Sequence, residues 1–529
     1  MMKKLYIILF LIVFLTGIFL RLYQIGFVPN SLNWDEVSWG YNAYSVLKTG
    51  HDEHGVLLPS TFMAFGDFKQ PIYVYLASAT VGLFGLNPIG VRLPSAILGI
   101  LTIPFVWLLV YEYFSKDKHR FTLALLVMTF FSLSPWSIQF SRVAYEANIG
   151  LFFTISGVAL FLRGLNSRKP FYFLVATLLL AISCYSYHSQ KLFTPLLLIG
   201  LLTYSYFYFK VSKRFIIVVF GLFILFNLLW IFDPRTTSRG RSVTFYSNQT
   251  EILKSSTQNI IYDSNHGDLL GPILENRRII YFDKYFENYL SHFNPNYLFI
   301  AGDNARHHTY GMGVLLLVSL PFILLGFFKM ERRKMLFILF WFLIAPLASS
   351  LAVDAPNASR SLVFLPTWYI FEAIGVLSVL SIRKNIRTSI IGVIFVFYLL
   401  NYLYYVHNYF MHTNNIYGIY WQSGYKEAVL KAHGYEEKGL RVFMDPSFEQ
   451  AYIFYLFYNQ YDPAKYIASG GSDRIKNKCF NIDTTFFGDC RDKLKKGDIV
   501  MSIKEEKTNK LRKIETLSGQ ENEAIYEAL

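Results

Sequence analysis

Between Asn33 and Pro71 the chain gathers Asp35, Glu36, Asp52, Glu53, His54, Asp67 and Lys69 among aromatic residues, soon after an apolar run from Leu5 to Leu20. Carboxylates beside a lysine are the parts of a general base and an anion-binding group. Their place at the mouth of an apolar segment points to chemistry on something held in a membrane. The competing reading is a solvated loop whose carboxylates face water. Further titratable clusters follow. Arg142 and Glu146 stand at the spacing of a surface pair on one helix, which is worth only about 0.2 to 0.5 kcal/mol. CYSYHSQKLFTP carries His188 and Lys191, AGDNARHHTYG carries Arg306, His307 and His308, and VDAPNASRS carries Arg360. Lysine and arginine at such places suit a phosphate by charge and by multiple N–H donors. A snorkelling side chain is the alternative for Lys191, and a headgroup anchor for Arg360. The paired histidines, with His51, His54 and Glu36, raise a divalent metal. None of them has metal-ligand spacing, so no metal site or other cofactor is assigned.

The elements that must position these groups are mostly membrane spans. With 53% hydrophobic, 18% aromatic and 16% charged residues, 529 residues are too apolar for an ordinary soluble chain. The formal net charge of +14 would raise nucleic acid as a partner in a soluble protein. Here residues 233–310 carry eight Lys/Arg against eight Asp/Glu, and residues 411–529 carry seventeen against seventeen. All of the excess therefore lies in the membrane portion, as expected of basic inner loops, and nucleic acid is not a partner.

Lys3 and Lys4 ahead of Leu5–Leu20 hold the N-terminus inside; no A-x-A-like cleavage site follows, and Arg21 with Tyr23 reads as an interfacial anchor. Apolar segments then run at 71–86, 89–114, 121–135, 147–163, 171–186, 191–209, 215–232, 311–328, 335–350, 361–381 and 389–410. Five connections are basic: 115–120, 164–170, 210–214, 329–334 and 382–388. All five fall in the cytoplasm if the 71–86 segment, short and ending in FGLNPIG, lies along the outer surface instead of crossing. The expectation is a polytopic α-helical membrane protein with about eleven spans, N-terminus inside. The first loop (23–88), the 136–146 connection, the long 233–310 loop, the 351–360 turn and the C-terminal region then share the outer side. A transporter would more often place charges in broken helices near the midplane within an internal repeat, and no such repeat occurs. Glu112 and Glu372 are the chief ionisable residues within spans and are read as structural, near cytoplasmic ends.

Residues 411–529 change composition. A helical pattern at 423–434, RVFMD as a strand, the helix-like FEQAYIFYLFY and the strand-like GDIVMSI and EAIYEAL predict a small outer α/β domain beside a membrane domain of 1–410. It lacks a glycine-rich phosphate fingerprint. Cys479 and Cys490 could close a short disulfide loop there, or stay as thiols.

Asp35-Glu36 just past the first span, Asp67-x-Lys69-x-Pro71, Arg92-Leu93-Pro94-Ser95 and Ser141-Arg142, in that order, resemble the GT-C glycosyltransferases. Within that superfamily the likeness is to the branch of protein O-mannosyltransferases and aminoarabinose transferases, and it covers the layout to about residue 410. Two details depart from the pattern: Lys69-Gln70-Pro71 stands where the family usually has Lys-Pro-Pro, and Glu146 follows Arg142 by four residues where the mannosyltransferases have five. The resemblance implies an inverting transfer of sugar from a polyprenyl-phosphate donor at the outer face of the cell membrane onto a protein, lipid or glycan acceptor, with Asp35 matching the general base. A polyprenyl phosphate is already a good leaving group, so such a site needs one base and a basic cradle, for which Lys69, Arg142, Lys191, Arg306 and Arg360 are the candidates. Glu36 would orient a substrate, a metal or a neighbouring helix, and Asp52, Asp67, Glu146, His188, His307 and His308 complete the substrate-site candidates. Two other classes remain open: a glycolipid transporter or flippase, and a glycan ligase or polymerase with a lipid-diphosphate donor.

Overall fold

The protein is described from a computed structural model covering residues 2–235, 244–245, 249–268, 270–381, 384–503, 511–516 and 524–529. Parts of the expected 233–310 loop and of the basic 382–388 connection lie outside the described residues. Helices dominate. Among the described residues, eight are long and apolar enough to cross a membrane: Lys4–Leu22, Pro88–Tyr113, Glu146–Ser167, Gln190–Phe209, Lys213–Ile231, Arg332–Ser350, Leu362–Leu380 and Thr388–Trp421. A ninth is reached if Arg120–Leu133 and Pro135–Arg142, bent by 55°, count as one span. Pro170–Ser186 and Leu317–Lys329 are shorter apolar helices, so the expected count of eleven is not reached by length alone. Pro71–Phe84 is likewise short. Its 14 residues rise only about 21 Å, less than the ~30 Å hydrocarbon core.

The chain divides into two compact units. The helical unit comprises Met1–Leu20, Leu98–Phe140 and Glu146–Val406. The mixed unit comprises Arg21–Ile97, Ser141–Tyr145 and His407–Leu529. The first loop and the C-terminal region thus fall in the same compact unit. The joins are specific: the Tyr41 hydroxyl donates to the Tyr461 carbonyl at 3.2 Å, the Ser31 hydroxyl to the Gln422 carbonyl at 3.3 Å and the Ser472 amide to the Glu53 carbonyl at 3.0 Å.

In the mixed unit, β1 (Phe62–Ala64) and β2 (Asp67–Lys69) make an antiparallel hairpin. Six more strands form one sheet: β3 (Val442–Met444), β4 (Cys479–Ile482), β5 (Thr485–Gly488), β6 (Ile499–Ser502), β7 (Leu511–Thr516) and β8 (Ala524–Ala528). The order is β4-β5-β3-β6-β8-β7, with β3 parallel to both its neighbours and every other pair antiparallel. β3 and β6 are buried along their whole length, which is why VFM and the IVM of β6 are unbroken apolar runs and not alternating ones. Helices Tyr425–Glu436 and Ala451–Tyr458 occupy the positions that the sequence pattern predicts. Cys479 and Cys490 are disulfide-bonded.

In the helical unit, Leu320–Lys329 packs on Leu365–Leu380 through glycines. A Cβ on Gly326 would fall 1.7 Å from the Phe371 carbonyl oxygen, and one on Gly375 would fall 1.9 Å from that of Phe322. Only glycine permits the two backbones to approach so closely. Glu112 is structural as expected, accepting from Arg163 Nη1 and Asn166 Nδ2, each at 2.7 Å. Glu372 is not near a helix end; it sits in the middle of Leu362–Leu380.

Candidate active site

Asn33 starts the helix Trp34–Thr49. Its side-chain oxygen accepts from the amides of Asp35 (2.9 Å) and Glu36 (3.1 Å), while a Glu36 oxygen accepts from the Asn33 amide at 3.1 Å. This capping box fixes the first turn and sends its two acids in different directions. Glu36 is fully buried. Arg92 donates to it through Nε at 2.9 Å and Nη2 at 3.2 Å, and the Ala144 amide donates at 3.0 Å. The remaining donors of Arg92 go to the carbonyls of Ile25, Pro29 and Ser31 at 2.6 to 2.9 Å. The Arg-Leu-Pro-Ser motif thus supplies the buried counter-charge that lets Glu36 hold the first turn and the loop around it.

Asp35 faces the other way and pairs with Lys69. The carboxylate side chain keeps 36% of its exposure, whereas the lysine keeps 5%. The Lys69 ammonium lies 4.8 Å from the centre of the Trp39 ring and 5.0 Å from that of Phe65, so two aromatic faces and one carboxylate enclose it. Phe65 and Gly66 are the two central residues of the β1–β2 turn, at φ 55° and 76°. Such a turn prefers Asn-Gly, and a phenylalanine there accepts backbone strain while its ring lies over the lysine. Gln70 and Pro71 follow at the start of the Pro71–Phe84 helix, where a proline at the first position is well tolerated. The Lys-x-Pro spacing therefore runs from the end of a strand to the start of a helix.

Several other candidates are tied into the framework. Arg142, read as a phosphate ligand, is fully buried. It donates to the carbonyls of Tyr23 (2.6 Å) and Val28 (3.1 Å) and to the Tyr409 hydroxyl (3.2 Å). Its helix ends at Arg142 and the next begins at Glu146, which is buried, so the two do not share one helix surface. Arg21 is no interfacial anchor: it is buried and donates to Ser141 at 3.3 Å. Asp52 closes its own loop by accepting from the amides of His54 and Val56, both at 2.9 Å, and Asp67 accepts from the Phe68 amide at 2.8 Å. Glu53 did not stand out among the loop acids, yet it is fully buried and accepts from Asn42 Nδ2 at 2.8 Å and from the hydroxyl of Ser472. Burial raises its pKa, against the nearby His54 and these hydrogen bonds.

The helical unit holds the remaining candidates. Asp303, which the sequence did not single out, accepts from His307 Nδ1 at 2.6 Å and from the Ala358 amide at 2.8 Å. Burial alone would raise the Asp303 pKa, but the histidine and the amide outweigh it and hold the carboxyl below the usual range. An acid four residues ahead of the His-His pair was the available signal. Arg360 pairs with Asp354. The Arg306 carbonyl accepts from Gln139 Nε2 at 2.6 Å, His308 is buried against the Thr309 carbonyl, and Lys191 lies 5.3 Å over the Trp230 ring with His188 half-buried nearby in sequence. No group of three or more metal-ligating side chains occurs among the described residues.

A family model described as dolichyl-phosphate-mannose-protein mannosyltransferase matches residues 69–230. The structure is similar to that of ArnT from Cupriavidus metallidurans in the apo state, with a TM-score of 0.53, 10% identity, and 99% of this chain and 98% of that one covered. ArnT bound to undecaprenyl phosphate matches with a TM-score of 0.53 at 11% identity, over 99% and 97% of the two chains. These likenesses show that the chain has the GT-C type of fold. The apo oligosaccharyltransferase of Archaeoglobus fulgidus is a further match, with a TM-score of 0.50 and 14% identity over 86% of this chain. The chain spans 63% of that protein's length. No curated protein sequence matches. Within the GT-C fold, Asp35, Lys69 and Arg92 are the motif residues that the mixed unit brings around one helix start, Asp35 against Lys69 and Arg92 against Glu36.

Proposed function

We propose that the chain is an inverting glycosyltransferase that moves a sugar from a polyprenyl-phosphate donor to an acceptor hydroxyl at the outer face of the cell membrane, with Asp35 as general base. The observation carrying this reading is the half-open Asp35 carboxylate held by a buried lysine. Lys69 keeps the carboxylate in place, so its exposed side is ready for an incoming hydroxyl. As the acceptor oxygen attacks the anomeric carbon, its proton passes to Asp35. The bond from that carbon to the phosphate oxygen breaks, and the phosphate leaves with the electron pair. One displacement inverts the anomeric centre. Donor phosphate binding by Arg306, Arg360 or Lys191 rests on their charge. ArnT bound to undecaprenyl phosphate, in the same fold, supports a donor on a lipid phosphate.

The test is transfer of labelled sugar from polyprenyl monophosphate and diphosphate carriers in reconstituted membranes. Asp35→Asn keeps the volume and removes the base, so turnover should fall about 10² to 10⁴-fold with donor binding retained. Near-normal turnover by Asp35→Asn would refute the assignment. Movement of intact glycolipid without a new glycosidic bond would favour a flippase, and transfer from the diphosphate carrier alone would favour a ligase.

A further inference from the structure

A cavity of 390 Å³ lies within the helical unit, lined by Arg120–Leu133, Leu365–Leu380 and Lys384–His407 together with Leu316 and Ser319. Its walls are leucine, isoleucine, valine and phenylalanine apart from a few hydroxyl-bearing residues and one acid, Glu372. Glu372 is 1% exposed. One of its oxygens accepts from the Ser319 hydroxyl and from the Tyr398 hydroxyl, each at 2.6 Å. The other, Oε2, is buried without a hydrogen-bond partner among the described residues. A buried carboxylate oxygen left unmatched is costly and calls for a partner. In a membrane span an ionisable residue is rare enough to mark a function.

We infer that this cavity binds a single-chain lipid whose head carries a hydrogen-bond donor, a hydroxyl or an amine, which meets Glu372 Oε2 while the chain fills the apolar space. The volume is that of a small-molecule site, and the polar groups are few and convergent. Among the described residues no lysine, arginine or histidine lines it, so these offer a phosphate head no counter-charge. The inference stands whether or not the chain transfers sugar.

The test is equilibrium binding of labelled 1-dodecanol, dodecylamine and dodecane to the full chain in lipid nanodiscs. The alcohol or the amine should bind about tenfold tighter than the hydrocarbon, the worth of one good hydrogen bond. Glu372→Leu should abolish that preference. Glu372→Gln should keep it in part for both the alcohol and the amine, since the amide oxygen still accepts a hydrogen bond. Ile394→Trp, which fills the cavity and leaves Glu372 in place, should weaken all three and also serves if Glu372→Leu does not fold. Equal binding of the three probes, a preference that survives Glu372→Leu, or unchanged binding in Ile394→Trp would overturn the proposal.

Discussion

The start of the Trp34–Thr49 helix and the 301–310 loop each set an acid against a basic side chain, with opposite outcomes. Asp35 keeps 36% of its side-chain exposure over a lysine that keeps 5%. Asp303 and His307 keep 6% and 10%. The first pair has a buried cation and an open carboxylate, so the acid can still meet a third molecule. The second is closed on both sides, and Asp303 uses its oxygen to hold the Ala358 amide. An acid beside a basic side chain is thus left open in one place and closed into a clasp between loops in the other, according to what covers the pair.

The largest effect should come from removing the support beneath Asp35. Arg92→Met leaves Glu36 buried without its counter-charge, and breaking such a pair typically costs about 3 to 5 kcal/mol. Thermal unfolding in detergent should show it, and an unchanged midpoint would mean that Glu36 is not the anchor. Asp303→Asn should cost about 1.5 to 3 kcal/mol, as expected for hydrogen bonds to a charged group, without a loss of turnover of the size expected for Asp35→Asn. Because the folded carboxyl lies below its ordinary value of 3.8, its contribution is present above that pH and lost as pH falls through the folded value. The Asn variant should therefore lose this acid dependence in unfolding measured from pH 5 downward.

Arg360→Ala sharpens the comparison from another side. The Asp354 carboxylate is half exposed, so the pair should add no more than about 1 kcal/mol to stability. If Arg360 contacts a donor phosphate, donor affinity should drop about tenfold or more. Unchanged affinity would leave it a headgroup anchor. The smallest effect is expected at Glu53. Its folded carboxyl holds a proton above the ordinary 4.5, so the associated stability is complete below that pH and declines as pH rises through the folded value. Glu53→Gln should remove that decline, measured as the slope of unfolding midpoint against pH between 4 and 8.

What could be read from the chain alone was whatever depends on near neighbours. Apolar runs marked the spans, because hydrocarbon demands length and continuity. Pro71, at the start of an apolar segment, is a helix start. RVFMD and GDIVMSI were legible as strands, and the fold buries both. The order of the Asp-Glu, Lys-x-Pro and Arg-Leu-Pro-Ser elements pointed to the GT-C fold, but their division of labour was not in the order. Glu36 is buried by an arginine 56 residues away and an amide 108 residues away, and Glu53 by a serine 419 residues away. Tertiary packing also buried Arg142 against backbone carbonyls and left Glu372 with an open oxygen over a cavity. Sequence supplies the charge of a side chain, but its exposure and partners are set by segments that meet only in the fold, and these decide whether the charge can act on a substrate.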